Sequence, residues 1–97
     1  MYVKIHKSGD RHVVAICDED LIGKKFETKK LVLNVSERFY KGEKLSDEET
    51  YEVMKSALNL NIVGKKAINL ALKNDIIEKE SIIKIKNIPH AQAYQLQ

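Results

Sequence analysis

The tetrapeptide Ser8-Gly9-Asp10-Arg11 separates two runs of alternating character, residues 2–7 (YVKIHK) and 12–17 (HVVAIC). Glycine at the first central position of a two-residue loop favours a type II′ turn, whose twist suits a β-hairpin. That turn predicts one register: Lys7 opposite His12, Ile5 opposite Val14, Val3 opposite Ile16. Side chains alternate across a sheet, so Val3, Ile5, Val14 and Ile16 share an apolar face. Tyr2, Lys4, His6, Val13, Ala15 and Cys17 take the other face.

Downstream, Asp18-Glu19-Asp20 breaks the strand pattern, and residues 21–26 read as a turn with buried anchors. Residues 31–36 (LVLNVS) alternate again and predict a third strand. Glu37 to Tyr40 fit one helical turn stopped by Gly42. Ser46 followed by Glu49 is a capping-box signature and starts a helix over 47–59, with Tyr51, Met54, Ala57 and Leu58 as its apolar stripe. Asn59-Leu60-Asn61 reads as a short turn. A second helix is expected over 62–74, with Val63, Ala67, Leu70 and Ala71 on one face and Asn74-Asp75 at its end. Residues 82–86 read as a fourth strand. Pro89 lacks the N–H a ladder needs, so it should interrupt any continuation. The tail beyond it could add an edge strand with Ile88, His90, Gln92, Tyr94 and Leu96 on one face. The expected class is α+β in one domain, 1–97. Its mixed, largely antiparallel sheet has four to five strands, with a two-helix hairpin packed on one face.

Composition removes several function classes. At 97 residues and 43% hydrophobic content the chain can bury a modest core unaided. A single cysteine, Cys17, forbids an internal disulfide and suits a reducing compartment. The first ten residues contain no apolar signal core, and no apolar run approaches a membrane span, so a cytoplasmic protein with no membrane partner is expected. Net charge is +3, distributed unevenly. Residues 1–46 carry ten basic and seven acidic side chains, while residues 47–80 carry five and seven. A basic first half suits a polyanionic partner. Lysine-rich genome composition would produce the same bias.

Four groups of residues could carry chemistry. His6, His12, His90, Cys17 and Asp18 to Asp20 are possible metal ligands, but the hairpin register puts His6 and His12 on opposite faces, so no metal site is expected. Cys17 would need a basic neighbour to become a nucleophile, and only His90 is a candidate. Two segments share an apolar-apolar-Gly-Lys-Lys pattern: Leu21 to Lys25 and Ile62 to Lys66. Gly64, Lys65 and Lys66 then lie in a helix's first turn, where free N–H groups and the dipole favour an anion. Lys24 and Lys25 would add to such a phosphate site. Packing of Gly64 against the sheet, with solvated lysines, is the commoner arrangement. Finally, His90 and Gln92 could line a ligand pocket or read a base edge. No catalytic residue and no cofactor is expected.

Several segments resemble a known family: VVAICDEDLIGKKF, LVLNVSERFY with Gly42 after it, NLNIVGKKAINLAL, and the late IPHAQ. Together they are similar to the archaeal family called domain of unknown function 424, over nearly the whole chain. The resemblance implies an archaeal, cytoplasmic protein with a compact α+β fold and a setting near translation or ribosome maturation. It supplies no catalytic residues.

Three functions remain in view. The first is a non-catalytic module that binds RNA or a ribosomal particle, using lysine pairs 24/25, 29/30 and 65/66, with Tyr2, Tyr40 and Tyr94 available for stacking. The second is a small-ligand enzyme or sensor built from His90, Gln92, Cys17 and the acidic triplet. The third is a protein-interaction subunit or homo-oligomer joined through an edge strand. A helix-turn-helix DNA reader fits poorly, because the second helix is apolar around much of its circumference.

Overall fold

The structure, a computed structural model, describes residues 1–95. Eight strands and three helices follow one another: β1 (Tyr2–Ser8), β2 (Arg11–Cys17), β3 (Lys25–Glu27), β4 (Val32–Asn34), α1 (Glu37–Tyr40), β5 (Glu43–Lys44), α2 (Asp47–Ser56), β6 (Asn59–Val63), α3 (Lys65–Lys73), β7 (Ile83–Ile85) and β8 (Ile88–Tyr94). Six strands form the main sheet in the order β5-β1-β2-β6-β8-β7, and β3 pairs with β4 separately. Only β2 and β6 run parallel; the other neighbours are antiparallel. No helix among the described residues is long and apolar enough to cross a membrane.

The first hairpin has the expected register, Lys7 with His12, Ile5 with Val14 and Val3 with Ile16. Gly9 has φ +59, the conformation that its place in a type II′ turn requires. At α2, Ser46 and Glu49 form the reciprocal capping box, with Ser46 Oγ accepting from Glu49 N at 3.1 Å and Glu49 Oε1 from Ser46 N at 3.0 Å.

The architecture departs from expectation in three places. The two-helix hairpin does not exist, because Asn59–Val63 is the strand β6 at the centre of the sheet. Leu60 and Ile62 face the helices while Asn59, Asn61 and Val63 face away, a period of two that the flanking helices hide. The third expected strand is not in the main sheet; Val32–Asn34 pairs with Lys25–Glu27 in a layer of its own. The tail strand is not outermost in the sheet order, where it is placed between β6 and β7. However, β7 pairs only with residues 88–90 and β6 with residues 90–94, so beyond His90 its side away from β6 is an edge with no strand beside it among the described residues. Leu96 falls outside the described residues.

Pro89 is accommodated inside β8 by register. Ile85 and Ile88 close a two-residue turn whose central residues Lys86 and Asn87 have φ +53 and +66, a type I′ geometry. The closing pair exchanges hydrogen bonds, so the next pair, Lys84 with Pro89, does not. The Pro89 nitrogen therefore points away from β7, towards a place where β6 has already ended. Its carbonyl still finds a donor, Gly64 N at 2.9 Å.

Two cores sandwich the sheet. On one face Val3, Val14, Ile16, Leu60, Ile62 and Ala91 meet Met54 of α2 and Ala67, Ile68, Leu70 and Ala71 of α3. Each large aliphatic side chain buried there stabilises the fold by roughly 1.5–3 kcal/mol. On the other face Ala15, Cys17 and Val63 pack under Leu21, Leu33, Val35 and Tyr40. This second cover is short and leaves part of the sheet open.

Candidate functional site

The start of α3 is occupied by the protein itself. Asp18 follows β2, is 6% exposed, and accepts hydrogen bonds from Lys66 N at 3.0 Å and Ala67 N at 2.8 Å. Its carboxylate thus fills the N–H groups and the positive dipole end where the sequence suggested an external anion. Gly64 precedes the helix with φ +109 and ψ 154, a region essentially restricted to glycine.

The lysine pairs do not converge. Lys66 borders a hollow of about 380 Å³ with Asp18, Glu19, Asp20 and Asp47, an acidic setting. Lys65 borders a different groove, between α3 and β7. Lys24 is exposed, and Lys25 pairs with Glu27 at 2.8 Å on the surface of the small sheet. Neither cavity that Lys65 or Lys66 lines includes Lys24 or Lys25.

The groups suggested for catalysis are also apart. Cys17 is fully buried, and burial together with the neighbouring Asp18 charge pushes its thiol up to about 12. Cys17 and His90 share a row with Val63 between them, which separates their backbones by about 10 Å. The His90 Nδ1 lies 3.1 Å from the Ile62 carbonyl, which can only accept, so Nδ1 carries the hydrogen. Among the described residues no group of three or more His, Cys, Asp or Glu could hold a metal ion.

His90 is nonetheless a titrating group of consequence. Burial lowers its pKa below the ordinary 6.5, partly offset by the bond to Ile62. Below pH 6.5 the unfolded chain takes up a proton that the folded chain resists, so unfolding is favoured as pH falls towards the folded pKa. Above 6.5 this contribution is constant. Urea titrations between pH 7.5 and about 5 should show stability falling for the native chain, with a shallower fall in His90→Asn. Equal slopes for the two proteins would contradict the burial.

The open part of the second sheet face gathers what the sequence scattered. Lys4, Ala15, Asn61 and Gln92 form one row across β1, β2, β6 and β8; His6, Val13, Asn59 and Tyr94 lie along the next. Beside α1 these residues enclose a concavity of about 350 Å³, walled by His6, Phe39 and Tyr94 and floored by Asn59, Asn61 and Gln92. The His6 ring stacks on Phe39, with centroids 4.5 Å apart and planes 13° apart. His6 Nε2 donates to the Phe39 carbonyl at 2.8 Å, which leaves Nδ1 as an acceptor. The buried Tyr40 hydroxyl donates to Asn61 Oδ1 at 2.5 Å, so the Asn61 amide nitrogen is left to donate. Asn59 Nδ2 donates to the His12 carbonyl at 3.3 Å, while Asn59 Oδ1 is buried with no hydrogen-bond partner among the described residues. Gln92 is exposed on the same floor, and Tyr94 is 79% exposed.

Gln92 is therefore in this concavity and His90 is not among its lining. Of the three tyrosines, only Tyr94 offers a free ring. Tyr40 is buried, and Tyr2 lies under Lys44 Nζ at 5.6 Å. Asn59, Asn61, His6 and Phe39 were missed as partners. The two asparagines read as a turn, and the ring stack joins residues 33 positions apart.

These features define a small α+β domain with one sheet face sealed by helices and the other holding a polar, ring-walled hollow. The chain belongs to the family described as Protein of unknown function (DUF424), which matches residues 6–96. The crystal structure of an uncharacterized conserved protein from Methanopyrus kandleri is similar throughout. Its TM-score is 0.81 at 26% identity, covering 96% of this chain and 89% of that one. No functionally curated protein matches the chain.

Proposed function

We propose that this protein is a non-catalytic RNA-binding module, acting on RNA alone or within a ribosomal particle, and that the sheet-face concavity takes an unpaired base. The observation that carries the reading is the pairing of spare rings with spare amides at one spot. Tyr94 and the His6–Phe39 stack offer flat surfaces for a base. The Asn61 amide donates and Gln92 can do either, which gives a base edge both a donor and an acceptor. Arg11 and Lys41 are exposed on β2 and at the end of α1, where a phosphate backbone leaving the concavity would pass.

Binding of fluorescein-labelled single-stranded RNA, followed by anisotropy, tests this. Affinity should fall as salt rises, and Tyr94→Ala should weaken it roughly tenfold, as loss of one stacking contact does. Gln92→Ala should alter the preference among homopolymers more than the mean affinity. Salt-independent binding, or an unchanged affinity in Tyr94→Ala, would remove the concavity as the RNA site.

A further inference from the structure

A groove of about 490 Å³ runs between α3 and the β7–β8 hairpin, on the helix side of the sheet. Spacing and register place its walls. Ile68, Asn69 and Leu72 follow Lys65 by three, four and seven positions, so the four residues form one stripe of α3. Ala91 and Ile62 belong to the helix-side core. Alternation along β8 puts Pro89 on that same face, and Lys84 is its partner on β7. Ile82, just before β7, packs on the same core.

The groove has a charged end and an apolar end. Gly64 N donates to the Pro89 carbonyl at 2.9 Å, which sets the start of α3 beside the start of β8. Lys65, next to Gly64, and Lys84, opposite Pro89, therefore stand at one end. Asn87 lines the groove there from the tight turn between β7 and β8. From that end Ile68, Leu72 and Ile82 continue as an aliphatic floor, about 10 Å long at the rise of an α-helix. Lys79 rims the groove towards its apolar end, from the short turn Lys79–Ser81. No acidic side chain is part of the lining, and none of Lys65, Lys79 and Lys84 forms an ion pair among the described residues. The Asp18 carboxylate is engaged by Lys66 N and Ala67 N and borders a different hollow. Glu78 and Glu80 flank Lys79 in the chain and are exposed outside the groove.

We propose that this groove binds a small aliphatic phosphate ester. Its head group lies between Lys65 and Lys84, and its hydrocarbon chain lies along Ile68, Leu72 and Ile82. Charge selects the head. The two lysines at the charged end carry two positive charges that no ion pair offsets, and a phosphate monoester carries close to two negative ones. A carboxylate would leave one ammonium unmatched. The lining selects the body. Its apolar side chains are all aliphatic and it contains no ring, so a nucleobase would find nothing to stack on. An extended acidic peptide would bury backbone N–H and C=O groups against a floor that cannot bond them. The volume is that of a small-molecule site. This groove lies on the opposite face of the sheet from the concavity, and its ligand does not depend on the RNA reading.

The test titrates octyl phosphate, below its micelle concentration, into the intact isotope-labelled protein. Amide NMR shifts should be saturable and centre on Ile68, Leu72, Ile82 and Lys84. Inorganic phosphate, octanol and octanoate should each bind roughly tenfold more weakly or worse, because they lack the chain, the charge or the second charge. Lys65→Ala and Lys84→Ala, both at exposed positions, should each weaken octyl phosphate several-fold and leave octanol unchanged, whereas Lys79→Ala should do less. Asn69→Trp, also at an exposed position, should fill the groove and abolish binding, with native amide dispersion showing that the fold persists. Four results would overturn the proposal: no saturable shift at millimolar octyl phosphate, equal binding of any of the three control compounds, full affinity in the Lys65→Ala, Lys84→Ala double variant, or shifts that map to Gln92 and Tyr94 instead. Self-association of the free protein, abolished by Asn69→Trp, would also overturn it in favour of a second copy in the groove.

Discussion

Gly64→Ala is expected to destabilise the protein by about 4 kcal/mol, measured as a shift in urea midpoint at constant m-value. Two separate costs add. At φ +109 and ψ 154 a side chain is strained wherever it points, which costs of order 1–3 kcal/mol. The new methyl would also lie 2.4 Å from Cγ of Asp18, closer than atoms can approach. Either the carboxylate leaves Lys66 N and Ala67 N, or the helix start shifts. Loss of such a cap costs roughly 1 kcal/mol by itself. A double-mutant cycle separates the terms. In an Asp18→Ala background the clash with the carboxylate is gone and only the 2.8 Å approach to the Cβ of residue 18 remains beside the backbone strain, so Gly64→Ala should cost less, leaving about 1–2 kcal/mol of non-additivity. Full additivity would mean that Asp18 and Gly64 do not act on each other.

That pair also shows what a sequence can reveal. The acidic triplet was legible as a strand end and Gly64 as a glycine needing a reason. The reason joins residues far apart in the chain, since Asp18 caps a helix that begins 47 positions later. The Ser46 cap was readable because Ser46 and Glu49 are three residues apart and the signature is local. Likewise the Gly9-Asp10 turn settled the register of β1 and β2 within one short segment. The strand β6 was not legible. Its five residues lie between two helices, its polar positions are asparagines, and Ile62 and Val63 also fit the apolar face of the following helix. Only pairing with β2 and β8, both distant in sequence, makes it a strand.

The same distinction governs the candidate site. Gln92 and Tyr94 could be assigned to one face of a tail strand from alternation alone. Their neighbours could not, because a mistaken turn at 59–61 removed two of the three amides from consideration. The lysine pairs drew attention as repeated sequence, yet repetition along the chain carries no information about nearness in space. Asp18 next to Lys66 turns one pair into part of an internal contact, and Glu27 beside Lys25 partly neutralises the other.

Gly42→Ala should cost about 3 kcal/mol and should act locally. Here the conformation is not at issue; the space is. A methyl on Gly42 would meet the Val3 carbonyl oxygen at 2.1 Å and the Lys4 Cα at 2.8 Å. Both are backbone atoms of β1 and neither can rotate aside. Relief requires β5 to lift from β1, which breaks the bonds of Met1, Val3 and Leu45 along that edge, each contributing about 1 kcal/mol net. Amide hydrogen exchange distinguishes this from general unfolding. Val3 and Leu45 should lose protection by local opening, while Ile16 and Ile62, at the centre of the sheet, keep theirs up to the lowered global stability. Uniform loss of protection would show instead that the β5 contact is a cooperative part of the whole fold.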